Sequence, residues 1–248
     1  IFEKNSSIIL DEGYGIQLSV NSIRVLNKIG FQKLEDDKKF HPRKIIFYSN
    51  ENTNKICELD IKDFNSEDCK YTTLKRSSLI NFLKTDLEGL IKFGYNISKI
   101  EEQNKQIQLY FENDETHECD YLIISDGIFS KSKSLISEND AKFKPKYNNT
   151  LAIRGILAKS FEKMDNKNIA LFLGSDFHQV IYPISPSGEL NFIAIMKYHL
   201  SAEEQKNYAL FNENSFIKKV LEKFSLRNKI FLDDLKELKI FPVFVSDN

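Results

Sequence analysis

One short run limits what this chain can fold into. Tyr121-Leu122-Ile123-Ile124-Ser125 is followed at once by Asp126-Gly127, with Ser130 close behind. A strand with one face in water alternates apolar and polar residues. A short run that is apolar throughout is instead predicted to be a strand covered on both faces, the setting of a parallel sheet with helices on each side. In an open α/β sheet, ligands gather at the carboxyl ends of the strands. A carboxylate there, beside a glycine that lets backbone approach closely, is placed to hold sugar hydroxyls or to order a diphosphate through water. A plain Asp-Gly turn uses the same residues, so the local sequence leaves both readings open.

The surrounding pattern agrees with an α/β beginning. Ile1-Phe2-Glu3 reads as the end of a buried strand that stops at an acid. Val20, Ile23, Leu26 and Ile29 then recur along one helix face, with Gly30 where a left-handed C-terminal residue belongs. Strands are predicted over 44–48 and 56–61, joined by a polar turn. A second helix is predicted from near Ser77, its apolar stripe running from Leu79 to Ile91 and ending at Gly94. Residues 96–100 and 106–111 form a strand pair, in which Ile107, Leu109 and Phe111 alternate. From 150 the texture changes to short strands at 151–158, 169–173, 178–184 and 190–197, the pattern of an antiparallel sheet. Helices near 202–211 and 214–224 follow, then an extended segment over 239–245, where Pro242 excludes a helix. The expected fold class is therefore mixed α/β. Its parts are a mixed α/β part over 1–145, with a β excursion near 40–71, and a mostly antiparallel β part over 146–248.

Composition excludes several classes. With 35 Lys and Arg against 36 Asp and Glu, the net charge is -1, so no basic field supports nucleic-acid binding. Cys57, Cys69 and Cys119 form no CxxC pair, which points to a reduced, cytoplasmic setting. The four histidines are scattered without ligand spacing, so no metal site is expected. No apolar run approaches a membrane span, and no signal peptide is expected. The opening on Ile1-Phe2 and the close at Asp247-Asn248 look like cuts through a longer protein.

Several residues could carry chemistry. Glu3, an acid at a strand tip, could accept both hydroxyls of an adenosine ribose, or it is a solvated strand end. Gly13-Tyr14-Gly15 lacks the third glycine of a phosphate loop and reads as a flexible loop. Arg76 stands at a helix start, where a guanidinium could reach a pyrophosphate; an exposed basic residue looks the same. Arg154, in Leu-Ala-Ile-Arg-Gly-Ile-Leu, is a cation flanked by apolar neighbours, aimed into a cavity or out to water. His178 and Tyr182 share a strand face and could line a pocket for an aromatic substrate. No Ser-His-Asp or Cys-His arrangement and no G-x-S-x-G turn can be picked out, so no catalytic side chain is named.

Taken in order, four blocks resemble the flavoprotein aromatic hydroxylases of the para-hydroxybenzoate hydroxylase superfamily. The nearest likeness is to its salicylate hydroxylase-like and ubiquinone-biosynthesis members. The blocks are Ile1-Phe2-Glu3 with GYGIQLSVNSIRVLNKIGF (13–31), LKRSSLINFLK (74–84), CDYLIISDGIFSKSKS (119–134), and AIRGIL (152–157) with VIYPISPSGELNFIAI (180–195). The resemblance implies an incomplete FAD-binding Rossmann-like domain with a β-sheet substrate domain. It implies FAD and NAD(P)H as cofactors and a monooxygenase that hydroxylates an aromatic or quinone-precursor ring with O2. A reductase or halogenase on the same scaffold is one alternative, and a nucleotide-binding module without catalysis is another. Glu3, Arg76, Asp126 and Gly127 would serve FAD, the last two also NAD(P)H. Gln17 and Arg154 would lie near the isoalloxazine or the substrate. The family's amino-terminal G-x-G-x-x-G loop and its later Gly-Asp motif are missing from these residues, so the chain alone is expected to be inactive. Ile153 stands where many relatives have Trp, and Lys131-Ser132-Lys133 departs from the family's basic position. A ubiquinone-pathway role would bring loose contact with a membrane surface, though no amphipathic anchor is evident.

Overall fold

The computed structural model describes residues 1–8, 10, 14–136, 144–157, 165–225 and 235–246. In chain order the first elements are β1 (Phe2–Glu3), β2 (Gly15–Leu18), α1 (Val20–Asn27), β3 (Lys39–Phe40), β4 (Lys44–Ser49), β5 (Lys55–Asp60), β6 (Thr72–Lys75) and α2 (Arg76–Lys84). Next come β7 (Lys92–Phe93), β8 (Ile97–Gln103), β9 (Gln106–Phe111), β10 (Thr116–Cys119), α3 (Ser132–Ile136) and β11 (Lys146–Leu157). The last are β12 (Ile169–Leu173), β13 (Phe177–Pro183), β14 (Leu190–Lys197), α4 (Asn214–Ser225) and β15 (Leu235–Val245). The result is the expected mixed α/β class. Contacts divide the chain into two units. One holds Ile1–Ile9, Lys84–Asn148 and Phe244–Asn248; the other holds Leu10–Leu83 and Asn149–Val243.

The first unit contains a parallel pair, β1 with β7, and an antiparallel sheet in the order β10-β9-β8. Phe2 anchors it, its ring 5.4, 4.7 and 5.1 Å from those of Tyr95, Phe111 and His117. The alternation in β9 does what its period dictates, since Leu109 and Phe111 are buried. The run 121–125 departs from expectation. It forms no strand, and Tyr121 and Ile123 are 90% and 89% exposed. A strand buried on both faces needs a hydrogen-bonding neighbour and covering layers. Among the described residues no strand pairs with this run, so its backbone lacks the partners that would make it one.

The second unit is built on a seven-stranded sheet in the order β15-β11-β14-β13-β12-β4-β5. The β12–β4 pair is parallel, whereas the β11–β14, β14–β13, β13–β12 and β4–β5 pairs are antiparallel. The strands predicted at 44–48 and 56–61 therefore complete the same sheet as the strands after 150. Alternation sorts side chains onto two faces. Phe177 and Phe192 point to one, where α4 lays Phe216, Val220 and Phe224 at four-residue steps. The Phe224 ring is 5.7 Å from Phe177 and 6.3 Å from Phe192. Tyr182, Ile156 and Ile169 share the opposite face, in a cluster with Ile61 and Ile184. A small antiparallel sheet, β2-β6-β3, packs α1 through Ile23, Phe31 and Leu74. Gly30 takes φ +90 after α1, the left-handed position its place predicts. The predicted second helix is shorter than its apolar stripe and ends at Lys84. The segment 202–211 forms only single 3-10 turns.

No described helix is long and apolar enough to cross a membrane. Among the described residues no cluster of His, Cys, Asp or Glu could hold a metal, and all three cysteines are free thiols.

Phe224 is fully buried on the α4 face. Phe224→Ala is expected to destabilise the second unit by about 3–5 kcal/mol through the cavity it leaves. Urea unfolding followed by circular dichroism measures this; a loss under about 1 kcal/mol would mean that α4 does not anchor the sheet.

Candidate functional site

The sheet register brings polar groups together on one face of the second unit. Arg154 pairs with Ile193, and Asn191 pairs with both Ile156 and Tyr182. Arg154, Asn191 and Tyr182 therefore point the same way, because side chains two apart on a strand share a face. Strand β2 lies over this face. Gly15 N–H donates to Asn191 Oδ1 at 2.6 Å. A Cβ on Gly15 would stand 2.5 Å from Ile184 Cγ2, 2.8 Å from Asn191 Cβ and 2.9 Å from Tyr182 Cε2. Only glycine fits there. The sequence reading of Gly15 as part of a flexible loop is corrected: it opens a strand and is buried. Gly13 lies outside the described residues.

Gln17 follows two residues later and joins the same cluster. The Tyr71 hydroxyl donates to Gln17 Oε1 at 2.7 Å. Gln17 also reaches Tyr182, with a bond that favours the ionised phenol, as an N–H donor does. Burial pushes the Tyr182 phenol well above the ordinary tyrosine value; the Arg154 charge and the Gln17 bond pull the other way and lose. Burial raises Tyr71 as well. Both phenols stay protonated at neutral pH.

Arg154 is half-buried, and among the described residues its partners are aromatic faces. Its Cζ lies 5.5 Å from the Tyr14 ring centroid and 5.9 Å from that of Phe241. Tyr14 and Phe241 meet edge to face at 6.0 Å. Cation–π contacts stabilise the guanidinium beside these rings without using up its N–H donors.

Strand β6 closes the cluster from the side. Thr73 Oγ1 donates to Pro183 O at 2.5 Å, and Lys75 pairs with Glu189 at 2.8 Å. Thr72 and Leu74 point the other way. There a cavity of about 480 Å3 is lined by Ile23, Asn27, Phe31, Lys39, His41 and Thr72, among others. None of the sequence-predicted site residues lines it. Its buried ammonium, Lys39, is engaged by Leu34 O and the Asp36 carboxylate. The polar cluster, not this cavity, is the candidate site.

Other sequence-predicted residues lie apart from the cluster. His178 shares the face of Tyr182 but is exposed, four residues or about 13 Å along the strand; it does not join the group. Arg76 is exposed at the first position of α2, its backbone N–H bonded to Tyr14 O at 2.8 Å. In the first unit, Glu3 ends β1, and its Oε1 accepts from Asn5 N at 2.9 Å. Asp126 Oδ2 accepts from Ser132 N at 3.2 Å. Partial burial works against the Asp126 charge, but bonds from Ser130 and Ser132 outweigh it and hold the carboxyl below its ordinary value. Gly127 takes φ +83 with open space where a Cβ would be, so the turn needs glycine for its backbone angle.

Sequence reasoning missed Tyr14, Gly15, Tyr71, Asn191 and Phe241. Asn191 carried a signal, as a polar residue between Leu190 and Phe192 in an apolar strand. The others carried none, because only the register shows what they meet.

No family model matches this chain. It is 28% identical to salicylate hydroxylase of Pseudomonas putida over 138 residues, 50% of this chain and 32% of that protein. It is 24% identical to 3-amino-4-hydroxybenzoate 2-monooxygenase of Streptomyces cremeus over 200 residues, 79% of this chain and 50% of that protein. The chain thus spans half or less of the length of these curated relatives. Among solved structures, a Klebsiella pneumoniae HpxO variant complexed with FAD matches with a TM-score of 0.77 at 13% identity, over 98% of this chain and 62% of that one. The 2,6-dihydroxypyridine-3-hydroxylase from Arthrobacter nicotinovorans matches with a TM-score of 0.74 at 14% identity, over 98% and 65%. The chain is similar in sequence to salicylate hydroxylase and related FAD-dependent monooxygenases, and its fold is that of the solved hydroxylases.

The Tyr182 shift has a consequence for alkaline stability. A phenol whose folded value is raised contributes stability that is complete below the unfolded value, about 10, and is lost as pH rises towards the folded value. Tyr182→Phe is expected to flatten the loss of stability above pH ~10. Denaturant midpoints measured from pH 8 to 11.5 test this; equal slopes for the two proteins would show that Tyr182 is not held neutral by burial.

Proposed function

We propose that this chain is the central part of an FAD-dependent monooxygenase that hydroxylates an aromatic or quinone-precursor ring with NAD(P)H and O2. The observation that carries the reading is the convergence of Gln17 and Tyr71 from the small sheet with Arg154, Tyr182 and Asn191 on one face of the large sheet. A site for a phenolic ring needs apolar walls, one donor for the ring oxygen and one cation for an anionic substituent or cofactor edge. This face offers Ile156, Val180 and Ile193 as walls, Tyr182 as donor and Arg154 as cation.

The residues present fit a flavin dinucleotide in kind. Glu3 has Oε2 left to accept ribose hydroxyls once Oε1 has taken the Asn5 N–H. Asp126 is ionised on a glycine turn that leaves open space beside it. The exposed Arg76 guanidinium suits a pyrophosphate. By the sequence resemblance, Glu3, Asp126 and Gly127 in the first unit and Arg76 in the second would each serve FAD, and Gln17 and Arg154 would serve its ring system or the substrate. FAD, reduced by NAD(P)H, supplies the activation of O2 that no side chain here could.

The chain's own residues position and protect. Tyr182, kept neutral, donates to a phenolate or ring hydroxyl and holds the proton there. Tyr71 and Gln17 fix the direction of that donation. Arg154, clamped between Tyr14 and Phe241, presents its donors to a carboxylate or carbonyl. The apolar strand residues keep water from the ring. In this reading residues 1–145 contribute mainly to cofactor binding and 146–248 to the substrate side. The working location is the cytoplasm, where free cysteines persist, and a quinone-precursor substrate would bring peripheral contact with a membrane surface. His178, exposed along the same strand face, would act only at the edge of the substrate side.

The test is NAD(P)H oxidation by the full-length protein loaded with FAD, with and without salicylate-type and other phenols. Phenol-stimulated oxidation with a hydroxylated product is expected. Arg154→Gln should lower the stimulated rate about 100-fold. Arg154→Lys should recover little, for want of a planar fork. If no phenol stimulates oxidation or is hydroxylated, the reading falls to a reductase or to a module without catalysis.

A further inference from the structure

Asn191 is out of place for its strand. It stands between Leu190 and Phe192 and is 2% exposed. A buried amide is costly unless hydrogen-bonded, and its described partner is the Gly15 N–H, 176 residues away in sequence, at 2.6 Å. The bond joins two strands that share no ladder: β2 pairs with β6, and β14 pairs with β11 and β13. It therefore fixes how deeply β2 sits on the large sheet.

That depth matters at one place. Asn191 lies directly opposite Tyr182 in the register, with Arg154 two residues beyond its other partner, Ile156. Gly15 and Gln17 share a side of β2, so the seat of Gly15 sets the reach of Gln17. The contact has almost no slack, because the positions around a Gly15 Cβ are already filled by Ile184, Asn191 and Tyr182.

We propose that Asn191 is a positioning residue: its side-chain oxygen latches the Gly15–Gln17 segment onto the sheet and thereby places Gln17 against Tyr182, beside Arg154. The role of that cluster in turnover rests on the hydroxylase reading; the latch does not. It is an oxygen acceptor that the latch requires, not a volume. Asn191→Leu keeps the size and removes the acceptor, whereas Asn191→Asp keeps both.

The experiment compares these variants with the native protein by amide hydrogen exchange at Gly15 and by ultraviolet titration of Tyr182, isolated by difference against Tyr182→Phe. In Asn191→Leu the Gly15 amide is expected to exchange at least about tenfold faster. The Tyr182 midpoint should fall by about one pH unit as water reaches it, with the far-ultraviolet spectrum retained. In Asn191→Asp the Gly15 amide stays protected and the Tyr182 midpoint stays at or above the native one. If the leucine variant does not fold, Asn191→Ala, read in the same two ways, takes its place. The proposal is overturned if removing the acceptor leaves both readings native, or if the aspartate variant behaves like the leucine one. In turnover, a displaced Gln17 should change KM and kcat by different factors, whereas a purely structural defect lowers kcat alone by reducing the folded fraction. Native protein that shows no phenol-stimulated oxidation would sink the hydroxylase reading and leave the exchange and titration results to judge the latch.

Discussion

The close approach of a glycine backbone to a sheet face governs the second unit. Gly15 has no side chain, so β2 can lie within van der Waals distance of Ile184, Asn191 and Tyr182. Everything at the candidate site follows from that distance. Were β2 held off by one methyl group, the Gly15–Asn191 bond would break and Gln17 would move away from Tyr182. Thr73 makes a matching contact from β6 to Pro183 O. The small sheet is thus tied to the large one by hydrogen bonds from both β2 and β6 that neither sheet's own ladder needs.

The electrostatics depend on the same closeness. Tyr182 is neutral because it is buried, and it is buried because β2 covers it. Arg154 would normally draw a nearby phenol towards ionisation, yet desolvation wins here. The guanidinium lies against the aromatic faces of Tyr14 and Phe241. A cation held in this way keeps its hydrogen-bond donors available without being drawn into a structural ion pair. A donor that stays protonated beside a cation that stays available is a polar arrangement suited to an anionic aromatic ligand.

How much of this the sequence showed depended on the range of the interactions. Local periodicity located α1, the antiparallel strands and Gly30, since each depends on neighbours a few residues away. Arg154 and Tyr182 stood out because a cation or a phenol inside an apolar strand is locally odd. Tyr71 and Phe241 were invisible, because their meaning comes from elements far away in sequence. Gly15 was misread for the same reason: its neighbours in the chain suggest a loop, and only Asn191, Ile184 and Tyr182 explain why glycine is required. The run 121–125 failed differently. Its apolar pattern states what a buried strand would need, but a pattern cannot supply the neighbouring strand, and the described residues do not contain one.

The contrast between the two units follows from what each can satisfy internally. The large sheet pairs across seven strands and covers one face with α4, so its core, from Leu151 to Met196, is buried. In the first unit, β1 and β7 pair over only two residues each, and the Asp126 turn sits at the end of an unpaired apolar segment. Exposed backbone and apolar side chains both favour the arrival of another strand. The Asp126 carboxylate is nevertheless already ionised and organised by Ser130 and Ser132. Its turn is therefore set by bonds within residues 126–132, and among the described residues it needs no strand partner for the segment 121–125.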